Sequence, residues 1–156
     1  MGKLFGTDGI RDLANRGPLT PAVLVRIGGA IGTLLLEQGR KDGLTVLMGE
    51  DGRASGQMIR FALSAGLLGR GIHVVNGGLL PTPALAYLTT RRSFTAGVMI
   101  SASHNPAEHN GIKLFGRDGA KLPDELEDRI EALLEDQEPA PPPEAPGTAK
   151  RDESVV

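Results

Sequence analysis

The residues best suited to chemistry follow an apolar run at 97–100 that is typical of a buried strand. Pro106 cannot donate to a sheet ladder, so this strand ends in a loop that presents Ser103 and His104. Lys113 follows a few residues later. Phosphoryl transfer uses three such groups: a hydroxyl that can accept a phosphoryl group, a proton carrier and a fixed cation.

A second serine competes for the role of nucleophile. Strand alternation predicts that Ser101 lies on the same side as Ser103, so the residues alone leave both open. The pair Asn110-Gly111 is typical of a turn, after which 112–115 reads as a short strand. Alternation in that strand predicts that Lys113 faces away from its apolar neighbours.

Two arginines outside this loop could also hold phosphate. Arg11 lies in a glycine-bounded segment, and a guanidinium binds phosphate in a bidentate manner. Its alternative role is an ion pair with Asp8 or Asp12. Asp51 and Arg53 lie in the glycine-rich loop 49–56, where we expect them mainly to support neighbouring loops. Local charge pairing at a helix start is their alternative role.

Helical and strand periodicities alternate along the chain and must position these groups. Near-continuous apolar strands between amphipathic helices predict an α/β fold: a mixed, mostly parallel sheet sandwiched between helices. Thr20 and Ser55 are expected to cap the first two helices. The predicted helices are 20–38, 55–69, 81–90 and 123–134, and the predicted strands are 44–48, 72–75, 95–100 and 112–115.

Composition excludes several classes of function. The 156 residues include no cysteine, which excludes disulfide frameworks, thiolate metal sites and cysteine nucleophiles. A net charge of −2 and an aromatic content of 3% argue against a nucleic-acid partner. No apolar run reaches membrane-spanning length and no signal peptide is evident, so we expect no membrane partner and a cytoplasmic location.

A proline-rich segment near the C-terminus suggests a domain boundary. The predicted organisation is an α/β domain over 1–136, followed by a proline-rich linker at 137–156 that leads to further domains. A natural disordered tail is the alternative.

The motifs resemble those of one enzyme family. The segments Lys3–Arg11 and 100–106 are similar to the N-terminal active-site segment and the phosphoserine loop of the α-D-phosphohexomutases. The resemblance implies the family's domain I fold, with a phosphoryl group carried on Ser103 and exchanged through a hexosamine 1,6-bisphosphate. It implies that Arg11, His104 and Lys113 face the active site, and that Asp51, Arg53 and Asn105 bind substrate or support loops.

The resemblance also implies cofactors and partners. Mg²⁺ would bind the phosphate on Ser103, but the family's aspartate-rich metal loop does not occur in this sequence. We therefore expect the remaining mutase domains to be needed and this chain alone to be inactive. The opening motif favours glucosamine phosphates as substrates over mannose or glucose phosphates, and a catalytically silent phosphosugar-binding module is a further alternative. Three positions depart from the family pattern: Asp12, Glu50 and His109.

Overall fold

The computed structural model describes residues 3–39, 43–136 and 141–155. Helices and strands alternate as the sequence predicts. The helices are α1 Pro21–Glu37, α2 Gly56–Leu68, α3 Thr82–Arg91 and α4 Asp124–Glu135. The strands are β1 Ile10–Leu13, β2 Thr45–Glu50, β3 His73–Leu79, β4 Ala96–Ile100, β5 His109–Phe115 and β6 Ala149–Arg151.

The strands form one mixed sheet in the order β1-β5-β4-β2-β3-β6. The ladders β4–β2, β2–β3 and β3–β6 are parallel, whereas β1–β5 and β5–β4 are antiparallel. The predicted mixed and mostly parallel sheet is therefore confirmed. The antiparallel pairs matter for the site, because β5 returns beside β4 and carries β1 on its other edge.

Both faces of the sheet are buried against helices. In β2, Val46 and Met48 face the large core beneath α1, α2 and α4, while Leu47 between them faces a smaller core beneath α3. All three side chains are completely buried. This two-sided burial explains why the strand sequence is a continuous apolar run rather than an alternating one.

Helices α1 and α2 approach each other through two glycines. A Cβ on Gly28 would lie 2.2 Å from the carbonyl oxygen of Leu63, and one on Gly66 would lie 2.1 Å from that of Val25. Neither distance is tolerable for a real side chain, so the backbones pack at a separation that only glycine permits.

The sequence analysis did not predict the two edge strands. Strand β1 has only four residues and is supported by β5 alone. Strand β6 lies in the segment interpreted as a linker; Gly147 N–H donates to the carbonyl of Leu68, and Val74 N–H donates to that of Thr148. Residues 137–140 lie outside the described residues, so the domain boundary proposed there stays a prediction.

Three local interpretations were wrong. Thr20 precedes α1, but its hydroxyl donates to the carbonyl of Gly17 at 3.0 Å and makes no capping hydrogen bond to the helix. Asn110 and Gly111 do not form a turn: they lie inside β5 and pair with Asp12 and Arg11 of β1. Ser55 precedes α2, but its hydroxyl accepts a hydrogen bond from Asn110 Nδ2 at 2.8 Å instead of capping the helix. The antiparallel pairing with β1 keeps the Asn-Gly pair extended.

Candidate active site

The serine loop lies at the carboxyl edge of the sheet. Strands β2 and β4 run parallel and both end there, at Glu50 and Ile100. Asp51 N–H donates to the carbonyl of Ile100 at 3.2 Å, which joins the two strand exits. The groups that follow each strand, Asp51 and Ser103 among them, are thereby brought to one edge.

Ser103 is held by three other residues. Its N–H donates to Ser101 Oγ at 3.0 Å, its carbonyl accepts from Arg53 Nη2 at 3.0 Å, and its own Oγ accepts from Arg11 Nη2 at 3.0 Å. The backbone adopts φ 52°, in the left-handed region that costs a non-glycine residue roughly 1–2 kcal/mol. Such a conformation persists only where the surroundings dictate it. The side chain remains exposed to solvent, as a reacting hydroxyl requires.

Arg53 fastens the backbone of the serine loop. Its side chain is only 11% exposed, and its Nε lies 3.0 Å from Asp51 Oδ2. The two terminal nitrogens donate to four loop carbonyls at 2.6–3.0 Å, those of Ser103, Asn105, Pro106 and His109. One partly buried guanidinium therefore satisfies four backbone carbonyls between Ser103 and His109.

The carboxylate of Asp51 connects Arg53 with Ser101. Its Oδ2 accepts from the Ser101 hydroxyl at 2.7 Å as well as from Arg53. Burial raises the pKa of the Asp51 carboxyl, but the hydrogen bonds from Ser101 and Arg53 outweigh burial and bring this pKa below its ordinary value of 3.8. Asp51 is therefore a carboxylate near neutral pH and acts only as an acceptor in this network.

Strand β1 delivers Arg11 to the serine. Arg11 pairs with Gly111 of β5, where a Cβ would lie 2.7 Å from the carbonyl oxygens of Ile10 and Ser101. The absence of a side chain at Gly111 lets β1 approach closely enough for the guanidinium to contact Ser103. Arg11 Nε is buried and has no hydrogen-bond partner among the described residues.

Asp8 lies between the two cations of the site. Its carboxylate oxygens are 3.9 Å from Arg11 Nη1 and 4.0 Å from Lys113 Nζ. An ion pair between Arg11 and Asp8 does not exclude a role of Arg11 in binding phosphate, because the same guanidinium also contacts Ser103. Lys113 is 28% exposed, and its neighbours Ile112 and Leu114 face the large core, as alternation predicts.

The remaining predicted residues contribute differently. His104 is exposed and makes no hydrogen bond within the described parts of the chain. Asn105 contributes its backbone: its N–H donates to the carbonyl of Ala102, and its own carbonyl accepts from Arg53 Nη2. The alternation argument for Ser101 and Ser103 does not apply, because both follow the end of β4 and Ser103 has a left-handed backbone.

The three departures from the family pattern are accommodated locally. Asp12 accepts from the N–H of Leu13 at 2.7 Å, and Glu50 faces Arg60 across 4.0 Å. His109 lies in β5 opposite Leu13, and its carbonyl is one of the four that Arg53 binds.

Sequence reasoning missed two supports of the site. Ser101 links Asp51 to the backbone of Ser103, and Glu131 of α4 accepts the N–H groups of Leu4 and Phe5 at 2.9 and 2.8 Å. The second contact fixes the N-terminal segment that leads to Asp8. No local pattern signals a contact across 127 residues.

Metal ligands do not converge in the described residues. No group of three or more histidines, aspartates and glutamates there is arranged to hold an ion. Ser103 Oγ accepts from the cationic guanidinium of Arg11, which fits a phosphate, so the additional oxygen ligands that Mg²⁺ needs would have to come from elsewhere. None of the helices in the described ranges combines the length and apolar character needed to span a membrane.

The chain belongs to the phosphoglucomutase/phosphomannomutase family. Residues 2–140 match the family's alpha/beta/alpha domain I. The chain is similar to proteins named phosphoglucosamine mutase: 48% identical to that of Caldanaerobacter subterraneus subsp. tengcongensis, across 100% of this chain and 34% of the relative. It is 52% identical to that of Alkaliphilus oremlandii, across 86% of this chain and 29% of the relative.

A solved structure agrees with this assignment. A phosphoglucomutase/phosphomannomutase family protein of Burkholderia thailandensis superposes with a TM-score of 0.80 at 26% identity, covering 96% of this chain and 32% of that one. The chain spans about a third of the length of the curated relatives that it matches. Relatives of this kind have room for further domains beyond the part that this chain matches.

Proposed function

We propose that this chain is domain I of a phosphoglucosamine mutase, and that Ser103 carries the phosphoryl group. The observation that supports this most strongly is the three-sided fixation of Ser103, with an exposed Oγ 3.0 Å from the guanidinium of Arg11. A hydroxyl in that position is accessible to a substrate phosphate and lies beside a positive charge that stabilises it. The approximately 50% identical relatives supply the choice of glucosamine phosphate.

The proposed reaction moves one phosphoryl group in each direction. The bond from phosphorus to Ser103 Oγ breaks while a sugar hydroxyl bonds to phosphorus and loses its proton, which gives a hexosamine 1,6-bisphosphate. The other phosphoryl group then returns to Ser103 Oγ, and the sugar oxygen that it leaves takes up a proton. Glucosamine 6-phosphate and glucosamine 1-phosphate are interconverted without net transfer.

The residues of this chain have separate tasks in that scheme. Arg11 binds phosphate oxygens through Nη2, which already contacts Ser103 Oγ, and Lys113 adds a second positive charge. His104, exposed beside the serine, is the group proposed to exchange protons with the sugar. Asp51, Arg53 and Asn105 support the loop through the contacts described above. Mg²⁺ would supply further neutralisation of the phosphate charge, with ligands drawn from the remaining domains.

Peptide-resolved mass spectrometry tests the proposal. The full-length protein is incubated with glucose 1,6-bisphosphate and Mg²⁺, and phosphate is expected on Ser103 and absent in Ser103→Ala. Mutase assays with glucosamine, glucose and mannose 6-phosphates then measure the preferred sugar. Turnover is expected only in the full-length protein. Absence of both phosphate and turnover would support a silent phosphosugar-binding module and overturn the proposal.

A further inference from the structure

Ser101 occupies an unusual position for a hydroxyl that is not the proposed phosphate carrier. It lies two residues before Ser103, between the end of β4 and the loop, and its oxygen takes part in two hydrogen bonds. The hydroxyl donates to Asp51 Oδ2 at 2.7 Å and accepts from the N–H of Ser103 at 3.0 Å. Its proton and a lone pair are both engaged, which leaves it poorly placed to attack phosphorus.

We propose that Ser101 is a positioning residue that sets the conformation of Ser103. The inference rests on the proposed function and explains how the loop sustains the left-handed backbone at φ 52°. The hydroxyl of Ser101 draws the N–H of Ser103 back toward Asp51. This orientation turns the side chain of Ser103 outward to Arg11.

Charge strengthens the hydrogen bond that Ser101 accepts. Asp51 is ionised, so the Ser101 hydroxyl points its proton at the carboxylate and its lone pair at the N–H of Ser103. A neutral acceptor would hold the hydroxyl proton less strongly. Asp51 therefore determines which way Ser101 points, and Ser101 in turn determines where the Ser103 N–H points.

Packing and hydrogen bonds fix the positions of Ser101 and Ser103 relative to each other. Ala102 between them is completely buried, whereas Ser103 is exposed. Arg53 holds the carbonyl of Ser103 and also bonds to Asp51, so the Ser103 backbone is tied to one carboxylate by two routes. Removal of the Ser101 hydroxyl would break one route and leave the other intact.

Two variants of the full-length protein separate positioning from general stability. Ser101→Ala removes the hydroxyl, and Ser101→Thr retains it with an added methyl group. Ser64→Ala is the matched control, since Ser64 is buried in α2 with its hydroxyl 3.6 Å from Met48 Sδ, away from the loop.

We expect kcat to fall about tenfold or more in Ser101→Ala with KM changed less than about threefold, because a misplaced reacting atom slows the chemical step. Ser101→Thr should restore kcat to within about threefold of the parent protein, and Ser64→Ala should leave it unchanged.

A second readout does not depend on activity. Hydrogen exchange at the Ser103 amide, resolved by fragmentation mass spectrometry, should be faster in Ser101→Ala and close to the parent rate in Ser101→Thr. Parent-like amide exchange in Ser101→Ala, or phosphate found on Ser101, would overturn the inference, as would an unchanged kcat. If the parent protein carries no phosphate and has no turnover, the proposed function fails while amide exchange still decides the positioning role.

Discussion

Arg11 donates a hydrogen bond from Nη2 to Ser103 Oγ at 3.0 Å, although the two residues are 92 positions apart in the chain. The contact depends on β1 pairing with β5, since Arg11 lies directly opposite Gly111. The serine loop and the N-terminal segment, the two motifs that carry the family resemblance, thus meet in one hydrogen bond. A phosphoryl group on Ser103 would be held by the same guanidinium.

Substitution of Arg11 tests this contact. Arg11→Lys keeps the charge but loses the planar pair of donors, so we expect kcat of the full-length protein to fall about a hundredfold. Steady-state kinetics with glucosamine 6-phosphate provides the measurement. Arg16→Lys, at an exposed position shortly after β1, is the control and should retain full activity. Equal activity of the Arg11 and Arg16 variants would contradict a phosphate-binding role for Arg11.

Arg53 is expected to matter more for stability than an ordinary surface arginine. Arg53→Lys retains one positive charge but cannot reach four carbonyls, so the free energy of unfolding should fall by about 2–4 kcal/mol. Arg129→Lys is the control, because Arg129 pairs with Glu37 at the solvent-exposed surface and such pairs contribute little to stability. Urea denaturation measures both values, and similar losses in the two variants would refute the assigned role.

The ionisation of Asp51 predicts a pH dependence of the serine loop. The pKa of the folded-state carboxyl lies below the unfolded value of 3.8, so its contribution to stability is present above that value. This contribution is lost as pH falls through the folded-state pKa. Asp51→Asn should therefore flatten the decline of unfolding free energy below about pH 4.

The control for this titration is a carboxylate outside the site. Glu144→Gln removes an exposed acidic group and should leave the pH profile of the parent protein unchanged. Chemical denaturation at a series of pH values gives the profiles. Parallel profiles for Asp51→Asn and the parent would show that Asp51 does not stabilise the loop through its charge.

Gly111 is predicted to be intolerant of any side chain. Gly111→Ala would place Cβ 2.7 Å from two carbonyl oxygens and 2.9 Å from Arg11 Cγ, so β1 must separate from β5. We expect a loss of about 3 kcal/mol or more in stability. Gly29→Ala in α1, where the nearest atom of another element to an added Cβ is the carbonyl oxygen of Gly66 at 4.0 Å, should instead stabilise by about 0.5–1 kcal/mol. Thermal denaturation compares the two, and a Gly111→Ala protein of normal stability would contradict the close β1–β5 contact.

Much of the fold was predictable because its elements carry strong local patterns. Helix α1 shows apolar residues at helical spacing, and strands β2 and β4 are continuous apolar runs. Strand β1 could not be predicted in this way: its sequence Ile-Arg-Asp-Leu has two charges in four residues and is extended only because β5 pairs with it. The same pairing overrides the turn preference of Asn110-Gly111.

The site was predictable in its residue types but not in its connections. The family resemblance pointed to Ser103, Arg11 and Lys113, and the structure brings Arg11 to Ser103 and Lys113 to within 4.0 Å of Asp8. The link from Asp51 through Ser101 spans 50 residues and depends on the parallel β2–β4 register. Such a contact leaves no periodic signal in the sequence, because it follows from where two strands happen to end.

The antiparallel pairing of β1 with β5 also sets an order of events during synthesis. Residues 10–13 leave the ribosome about a hundred residues before their partners at 109–112, an interval of roughly 5–20 s at ordinary translation rates. Throughout that time Arg11 and its neighbours have no strand to join. The nascent chain must therefore keep its first strand unpaired until β5 is synthesised, and the hydrogen bond between Arg11 and Ser103 cannot form before then.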